Sequence, residues 1–233
     1  MGGLKERSVA AILPAAGSGQ RFGDSKNKLF SSLNGDPLWV HSVRRLAMRA
    51  EIGRLILAVS EHDLGDFQEQ ASSVSLPLPV EFVIGGAERM DSVQRALDQI
   101  DTEGPQSWVA VHDAARPLVS ADDLDKVFLA VQQTGAAILA TPVSGTLKRE
   151  LGGGLGSETV DREGIWMALT PQVFRVGLLK QAYAKHNGRP ATDDAQLVER
   201  LGHAVQLVKG SAENLKITFP EDLSIAEAIL NRK

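Results

Sequence analysis

Five short β-branched or aliphatic runs, Val9–Leu13, Leu55–Val59, Val80–Ile84, Trp108–His112 and Ala136–Ala140, recur along the chain with amphipathic stretches between most of them. This alternation predicts an α/β fold, a mostly parallel sheet wrapped by helices. The helical stretches carry start signals: Asp36-Pro37 before Leu38–Met48, Asp91 before Ser92–Ile100, and Ser120 before Ala121–Val131. In open sheets of this kind ligands bind outside the carboxyl ends of the strands. Here those ends are polar and rich in glycine.

A chain of 233 residues, 43% hydrophobic and 23% charged, can bury a proper core, and one domain over 1–233 is the expectation. The segment 143–168 breaks the pattern, because Gly152-Gly153-Gly154 separates two short alternating stretches, Gly145–Leu151 and Leu155–Asp161. It reads as a protruding β-hairpin arm. Such an arm has too little core of its own, so a second copy of the chain is expected to cover it. From Pro171 onward the pattern predicts helices over Val176–His186 and Asp194–Leu201, a strand over Val205–Val208 and a final helix over Glu221–Ile229.

Composition removes several functions. A net charge of −4 disfavours a nonspecific nucleic-acid coat or an anionic-membrane binder, and no stretch approaches membrane-spanning length. Cysteine is absent, which removes disulfides, thiolate metal sites and a Cys nucleophile. A cytoplasmic location is the default expectation. The five histidines are scattered, and neither Gly-x-Ser-x-Gly nor His-Glu-x-x-His occurs, which disfavours hydrolase triads and zinc sites.

Five constellations can carry chemistry. Pro14-Ala15-Ala16-Gly17-x-Gly19-x-Arg21 follows the first strand, and its small residues let backbone N–H groups approach a phosphate chain while Arg21 adds a fork of donors. It matches neither the dinucleotide fingerprint nor a P-loop, and an ordinary strand-to-loop turn accounts for the glycines equally well. Lys28 ends a polar stretch able to fold back over a triphosphate, with Lys26 competing for the same role.

His112-Asp113-Ala114-Ala115-Arg116-Pro117 follows the strand Trp108–Val111, and a carboxylate there can reach a hard cation bound to phosphates. A turn capped by Asp113 and paired with Arg116 is the alternative. Gly85-Gly86-Ala87-Glu88-Arg89 runs into Asp91-Ser92 and offers backbone groups and a hydroxyl to a nucleobase edge, or is a plain glycine turn. Near the end, Asn214-Leu215-Lys216-Ile217-Thr218 reads as a short strand whose lysine is either an edge guard or a catalyst. A phosphate monoester, mostly a dianion at neutral pH, would need no general base; cations that suppress repulsion between polyanions would be enough.

Taken in order, these motifs with Thr146, Val160-Asp161-Arg162, Thr170-Pro171-Gln172 and Thr192-Asp193 span nearly the whole chain and resemble the methylerythritol phosphate cytidylyltransferase family. The resemblance implies a Rossmann-like nucleotidyltransferase fold and cytidylyl transfer from CTP to a sugar-alcohol phosphate, with Mg²⁺ or another divalent cation. It implies Arg21, Lys28 and Lys216 as catalytic, and Pro14, Ala15, Ala16, Gly17, Gly19, Gly86, Arg89, Ser92 and Asp113 around the nucleotide. Asp113 would also meet the metal. The acceptor would meet Asp113, Arg116, Thr146, Arg162, Thr170, Thr192 and Lys216, with Arg162 reaching across a homodimer.

The chain departs from the family pattern at Asn27 before Lys28, where proline is usual, and at Ala87, where a polar residue is common. A ribitol 5-phosphate cytidylyltransferase and a non-catalytic nucleotide sensor are the competing readings. A dinucleotide oxidoreductase is a more distant one, because the glycine spacing is wrong for it.

Overall fold

The computed structural model describes residues 4–17, 27–104 and 107–232. The five aliphatic runs fall on strands β1 (Val9–Pro14), β4 (Ile52–Val59), β5 (Val80–Ile84), β6 (Trp108–Val111) and β7 (Ala136–Pro142), with His112 one residue past the end of β6. With β10 (Trp166–Arg175) and β11 (Gln206–Lys209) they form one seven-stranded sheet in the order β11-β7-β10-β6-β1-β4-β5. β10 runs antiparallel to both its neighbours, and every other pairing is parallel.

Apart from the edge strand β5, which carries Glu81 and is only partly buried, the strands are apolar along these runs because both faces of the sheet are covered. Val9, Ala11 and Leu13 of β1 enter one core with Leu55, Leu57 and Val59 of β4, while Ala10, Ile12, Ile56 and Ala58 enter the other. Helices α1 (Leu38–Ala47), α2 (Leu64–Ser73), α4 (Ala121–Thr134) and α7 (Glu221–Leu230) supply the first core. Helices α3 (Arg89–Asp98), α5 (Val176–Ala184) and α6 (Asp194–Glu199) supply the second. No helix among the described residues is long and apolar enough to cross a membrane.

Local chemistry explains the helix starts. Ser120 accepts from the Asp123 amide at 3.1 Å and opens α4 as expected, and Gly135, at φ +79°, closes it. Asp36 does not cap α1; Pro37 stands before its first turn, and Asp36 instead pairs with Arg44. Asp91 lies inside the first turn of α3, where its carboxylate accepts from the Glu88 amide at 3.0 Å. A two-residue turn, Asn34-Gly35 with φ +48° and +90°, joins β2 (Ser32–Leu33) to β3 (Asp36–Pro37).

Three expectations change. β10 is a full sheet strand running through Pro171, whose missing N–H is accommodated where the register to β7 shifts between Ala168 and Gln172. The Thr170–Pro171 peptide is cis. Residues Trp166–Ala168, read as the end of the arm, therefore pair with β7. The hairpin itself is present as β8 (Leu147–Leu151) and β9 (Gly156–Val160), closed at its base by the Val143 amide on the Ile165 carbonyl at 3.1 Å. The segment 214–218 is not a strand but an irregular stretch held by other residues.

The side chain of Phe67 organises the part of the first core that lies over β5. It is fully buried, with Phe30, Trp39 and Phe82 rings at 4.7, 5.6 and 6.5 Å. Phe67→Ala is expected to lower unfolding free energy by about 3–5 kcal/mol in urea titrations. A loss below about 1 kcal/mol would mean that the neighbouring rings close the gap without cost.

Candidate active site

The chain order builds a crevice. From β1 it moves outward to β4 and β5, then returns to place β6 on the other side of β1, so the loops after β1 and β6 diverge. A cleft of about 450 Å³ opens there. Its walls are Pro14, Ala15, Ala16 and Gly17 after β1, Gly86 to Arg89 and Ser92 at the start of α3, Asp113 to Ala115 after β6, and Lys28, Leu29, Lys216 and Thr218.

The floor is Asp113, which three cations face. Arg89 Nε lies 3.2 Å from its Oδ1; Arg116 Nε and Lys216 Nζ lie 3.3 and 3.0 Å from its Oδ2. Burial alone would raise the Asp113 pKa, but Arg89, Lys216 and Arg116 together outweigh it and hold the carboxyl well below the usual range. Arg89 is fixed from behind, because Nη1 donates to Asp194 Oδ2 at 2.8 Å while Tyr183 donates to Asp194 Oδ1 at 2.6 Å. Burial would lower the Arg89 pKa, yet Asp194 and Asp113 raise it overall, so the cation persists.

His112 and Thr170 hold the peptide that presents Asp113. The Asp113 amide donates to Thr170 Oγ1 at 3.0 Å, and Thr170 Oγ1 also lies 3.0 Å from His112 Nδ1. His112 Nε2 meets the Arg116 carbonyl at 3.1 Å. A carbonyl only accepts, so the proton sits on Nε2. Burial lowers the His112 pKa to about 4, so the ring is neutral near pH 7 and Nδ1 accepts from the Thr170 hydroxyl.

The segment 214–218 is locked by contacts from elsewhere. The Ile217 amide donates to the Ala115 carbonyl at 2.9 Å, Arg116 Nη1 to the Asn214 carbonyl at 2.8 Å, and Lys28 Nζ to the Ile217 carbonyl at 2.8 Å. This places Lys28 and Lys216 on the same wall. Across the cleft, glycine is required twice. A Cβ on Gly85 would meet Ala16 Cβ at 2.7 Å, and one on Gly86 would meet Asp91 Cβ at 2.1 Å. The Gly86 amide donates to Ser92 Oγ at 3.1 Å, which ties that turn to α3.

The cleft thus gathers Pro14, Ala15, Ala16, Gly17, Lys28, Gly86, Arg89, Ser92, Asp113 and Lys216 from distant parts of the sequence. Arg116 and Thr170 sit directly beneath it, bonded to Asp113. Gly19, Arg21 and Lys26 lie outside the described residues. Thr146, Arg162 and Thr192 do not line the cleft: all three are exposed, with Arg162 bonded to the Ser144 carbonyl and the Thr192 amide to Gln196 at 3.1 Å. Asp193 caps α6 and accepts from Gln172 at 2.8 Å, so this pair of motifs braces the scaffold.

Sequence reasoning missed the parts played by His112, Asn214, Asp194 and Tyr183. A signal existed for His112 alone: a histidine ending an apolar strand is buried by both sheet faces and must find partners there.

The sequence matches the family model "2-C-methyl-D-erythritol 4-phosphate cytidylyltransferase" over residues 9–232. A protein of that name from Rhodopirellula baltica is 57% identical across 96% of this chain and 95% of its own, and one from Bacillus velezensis is 44% identical across 94% of each. The crystal structure of 2-C-methyl-D-erythritol 4-phosphate cytidylyltransferase from Thermus thermophilus is similar, with a TM-score of 0.75 and 35% identity over 96% of this chain and 99% of that one. A 4-diphosphocytidyl-2C-methyl-D-erythritol synthase from Anaerococcus prevotii gives a TM-score of 0.81 at 27% identity over 97% and 99%. With the fold, the crevice and the motifs in agreement along the chain, it belongs to the 2-C-methyl-D-erythritol 4-phosphate cytidylyltransferase family.

Proposed function

We propose that this protein transfers the cytidylyl group of CTP to 2-C-methyl-D-erythritol 4-phosphate and releases pyrophosphate. The reading is supported by the family match and by relatives of that name aligned along almost their full length. The observation that carries it is the convergence of Lys28, Arg89, Asp113 and Lys216 on one cleft beside a glycine turn.

The acceptor's phosphate oxygen attacks the α-phosphorus, and the bond to the bridging oxygen of the departing pyrophosphate breaks with its electron pair. A dianionic acceptor needs no base, so the protein's work is to hold two polyanions together and to stabilise charge at phosphorus. In this reading Lys28, Lys216 and Arg21 meet the triphosphate. The backbone of Ala15, Ala16 and Gly17, with Gly86 and Ser92, holds cytosine and ribose. Arg116 and Thr170 border the acceptor, and Arg162 and Thr146 reach it from the arm of a second copy, as does Thr192 from its own loop. A homodimer follows from this proposal. A cytoplasmic setting goes with it, in keeping with the absence of cysteine.

The donor set fits a divalent cation such as Mg²⁺. An ionised carboxylate has about four acceptor positions, and Arg89, Arg116 and Lys216 occupy three on Asp113, leaving one on Oδ1. No group of three or more His, Asp or Glu is gathered among the described residues, and Mg²⁺ characteristically rests on one or two carboxylates plus substrate phosphates. When bound, the ion would neutralise phosphate charge.

Lys216→Ala is expected to lower kcat by about 10²–10³ while the Kd for CTP changes less than about tenfold, as for a contact made mainly in the transition state. Equal losses in both would assign Lys216 to ground-state anchoring. Asp113→Asn is expected to raise the Mg²⁺ concentration needed for half activity and the KM for the acceptor together; an unchanged metal requirement would remove Asp113 from the metal. In a pyrophosphate-release assay, methylerythritol phosphate is the expected acceptor, and turnover of ribitol 5-phosphate alone would overturn the assignment. Sedimentation at micromolar concentration is expected to give a dimer, and a monomer with full activity would remove the arm from the site.

A further inference from the structure

Four residues close a ring of hydrogen bonds beneath the cleft, and every bond points the same way round. His112 Nε2–H donates to the Arg116 carbonyl at 3.1 Å, and Arg116 Nη1 donates to the Asn214 carbonyl at 2.8 Å. Asn214 Nδ2 then donates to the Thr170 carbonyl at 2.7 Å, and the Thr170 hydroxyl donates to His112 Nδ1 at 3.0 Å. Each member gives one bond and receives one; carbonyl acceptors fix the direction of three bonds, and the proton on Nε2 fixes that of the fourth, from Thr170 to Nδ1. The ring joins three segments distant in sequence: the loop after β6, the strand β10, and the stretch that carries Lys216.

Its location matters more than its stability. Asp113 hangs from it twice, through its amide on Thr170 Oγ1 at 3.0 Å and through Arg116 Nε on Oδ2 at 3.3 Å. Lys216, two residues beyond Asn214, reaches the same oxygen at 3.0 Å. The distance between the Asp113 carboxylate and the Lys216 ammonium is therefore set by how the ring spaces its three segments. His112 and Asn214 are fully buried, and His112 reaches the cleft only through the residues it holds.

We propose that His112 is a positioning residue for cytidylyl transfer, acting as the Nε2–H tautomer through the His112–Arg116–Asn214–Thr170 ring to hold Asp113 and Lys216 in register. The inference rests on the proposed transferase reading. It assigns Thr170 a role carried by its inward-facing hydroxyl, which accepts from the Asp113 amide and is itself oriented by donating to His112 Nδ1.

His112→Asn keeps an acceptor near Nδ1 but removes the donor to the Arg116 carbonyl; Thr170→Val removes the hydroxyl at nearly constant volume. In steady-state assays with CTP, Mg²⁺ and methylerythritol phosphate, each is expected to lower kcat by about tenfold, with the KM for CTP within about threefold of the parent. The two changes combined are expected to cost no more than the larger alone, because both open one ring. Thr170→Ser is expected to recover most of what Thr170→Val loses. Long-range ¹H–¹⁵N spectra of the unmodified protein are expected to show His112 with Nε2 protonated and Nδ1 bare.

Losses that multiply in the double variant, or a His112 protonated on Nδ1, would overturn the proposal. Should His112→Asn fail to fold, Thr170→Val, Thr170→Ser and the spectrum still decide it. An unmodified protein that releases no pyrophosphate would instead defeat the transferase reading, while the spectrum would still test the ring.

Discussion

A single carboxylate among cations shapes the centre of this molecule. Asp113 is nearly buried, and a buried charge is tolerable only when paired and hydrogen-bonded. Arg89 arrives from α3, Arg116 from the loop after β6, and Lys216 from the stretch before α7, so pairing Asp113 brings three remote parts of the chain to one point. Removing the carboxylate would leave three cations facing one another, and removing any cation would leave the anion under-compensated. Charge compensation and the shape of the cleft are therefore one constraint.

The local charge pattern also runs against that of the whole. The protein carries a formal −4, yet the described residues on the cleft wall include Lys28, Arg89 and Lys216 against Glu88 and Asp113. Arg116 adds a further cation just beneath. A nucleotide triphosphate is attracted to such a spot because the cleft cuts into low-dielectric protein, which focuses the field and screens it less than bulk water would. The glycine turn opposite supplies what charge cannot: Gly85 and Gly86 let backbone polar groups come within reach of a flat ligand, since any side chain there would collide with Ala16 or Asp91.

Much of this was legible in the residues. The aliphatic runs marked five of the seven sheet strands: β1, β4, β6 and β7 because a strand covered on both faces has to be apolar, and the edge strand β5 through its remaining aliphatic and aromatic residues. Motifs after β1, β5 and β6 marked the cleft because open sheets bind at carboxyl ends. The rest was obscured for physical reasons. Pro171 hid β10, since a proline in a central strand is admissible only where the ladder is irregular, and sequence does not display the irregularity. Helix α2 went unread because Phe67 is its one fully buried residue, too few for an apolar stripe. The segment 214–218 alternates like a strand but is held by side chains and backbone groups of Arg116, Ala115 and Lys28, contacts that no local pattern encodes.

The cationic cradle stands on the state of one carboxyl group. A ¹³C-observed titration of Asp113 in the free protein reads it directly. The three surrounding cations predict a carboxylate resonance that stays flat from pH 7 down to about 4, the ordinary value for aspartate. An inflection at or above about 4 would mean that Arg89, Arg116 and Lys216 do not outweigh the effect of burial, and the cationic cradle as described would not exist.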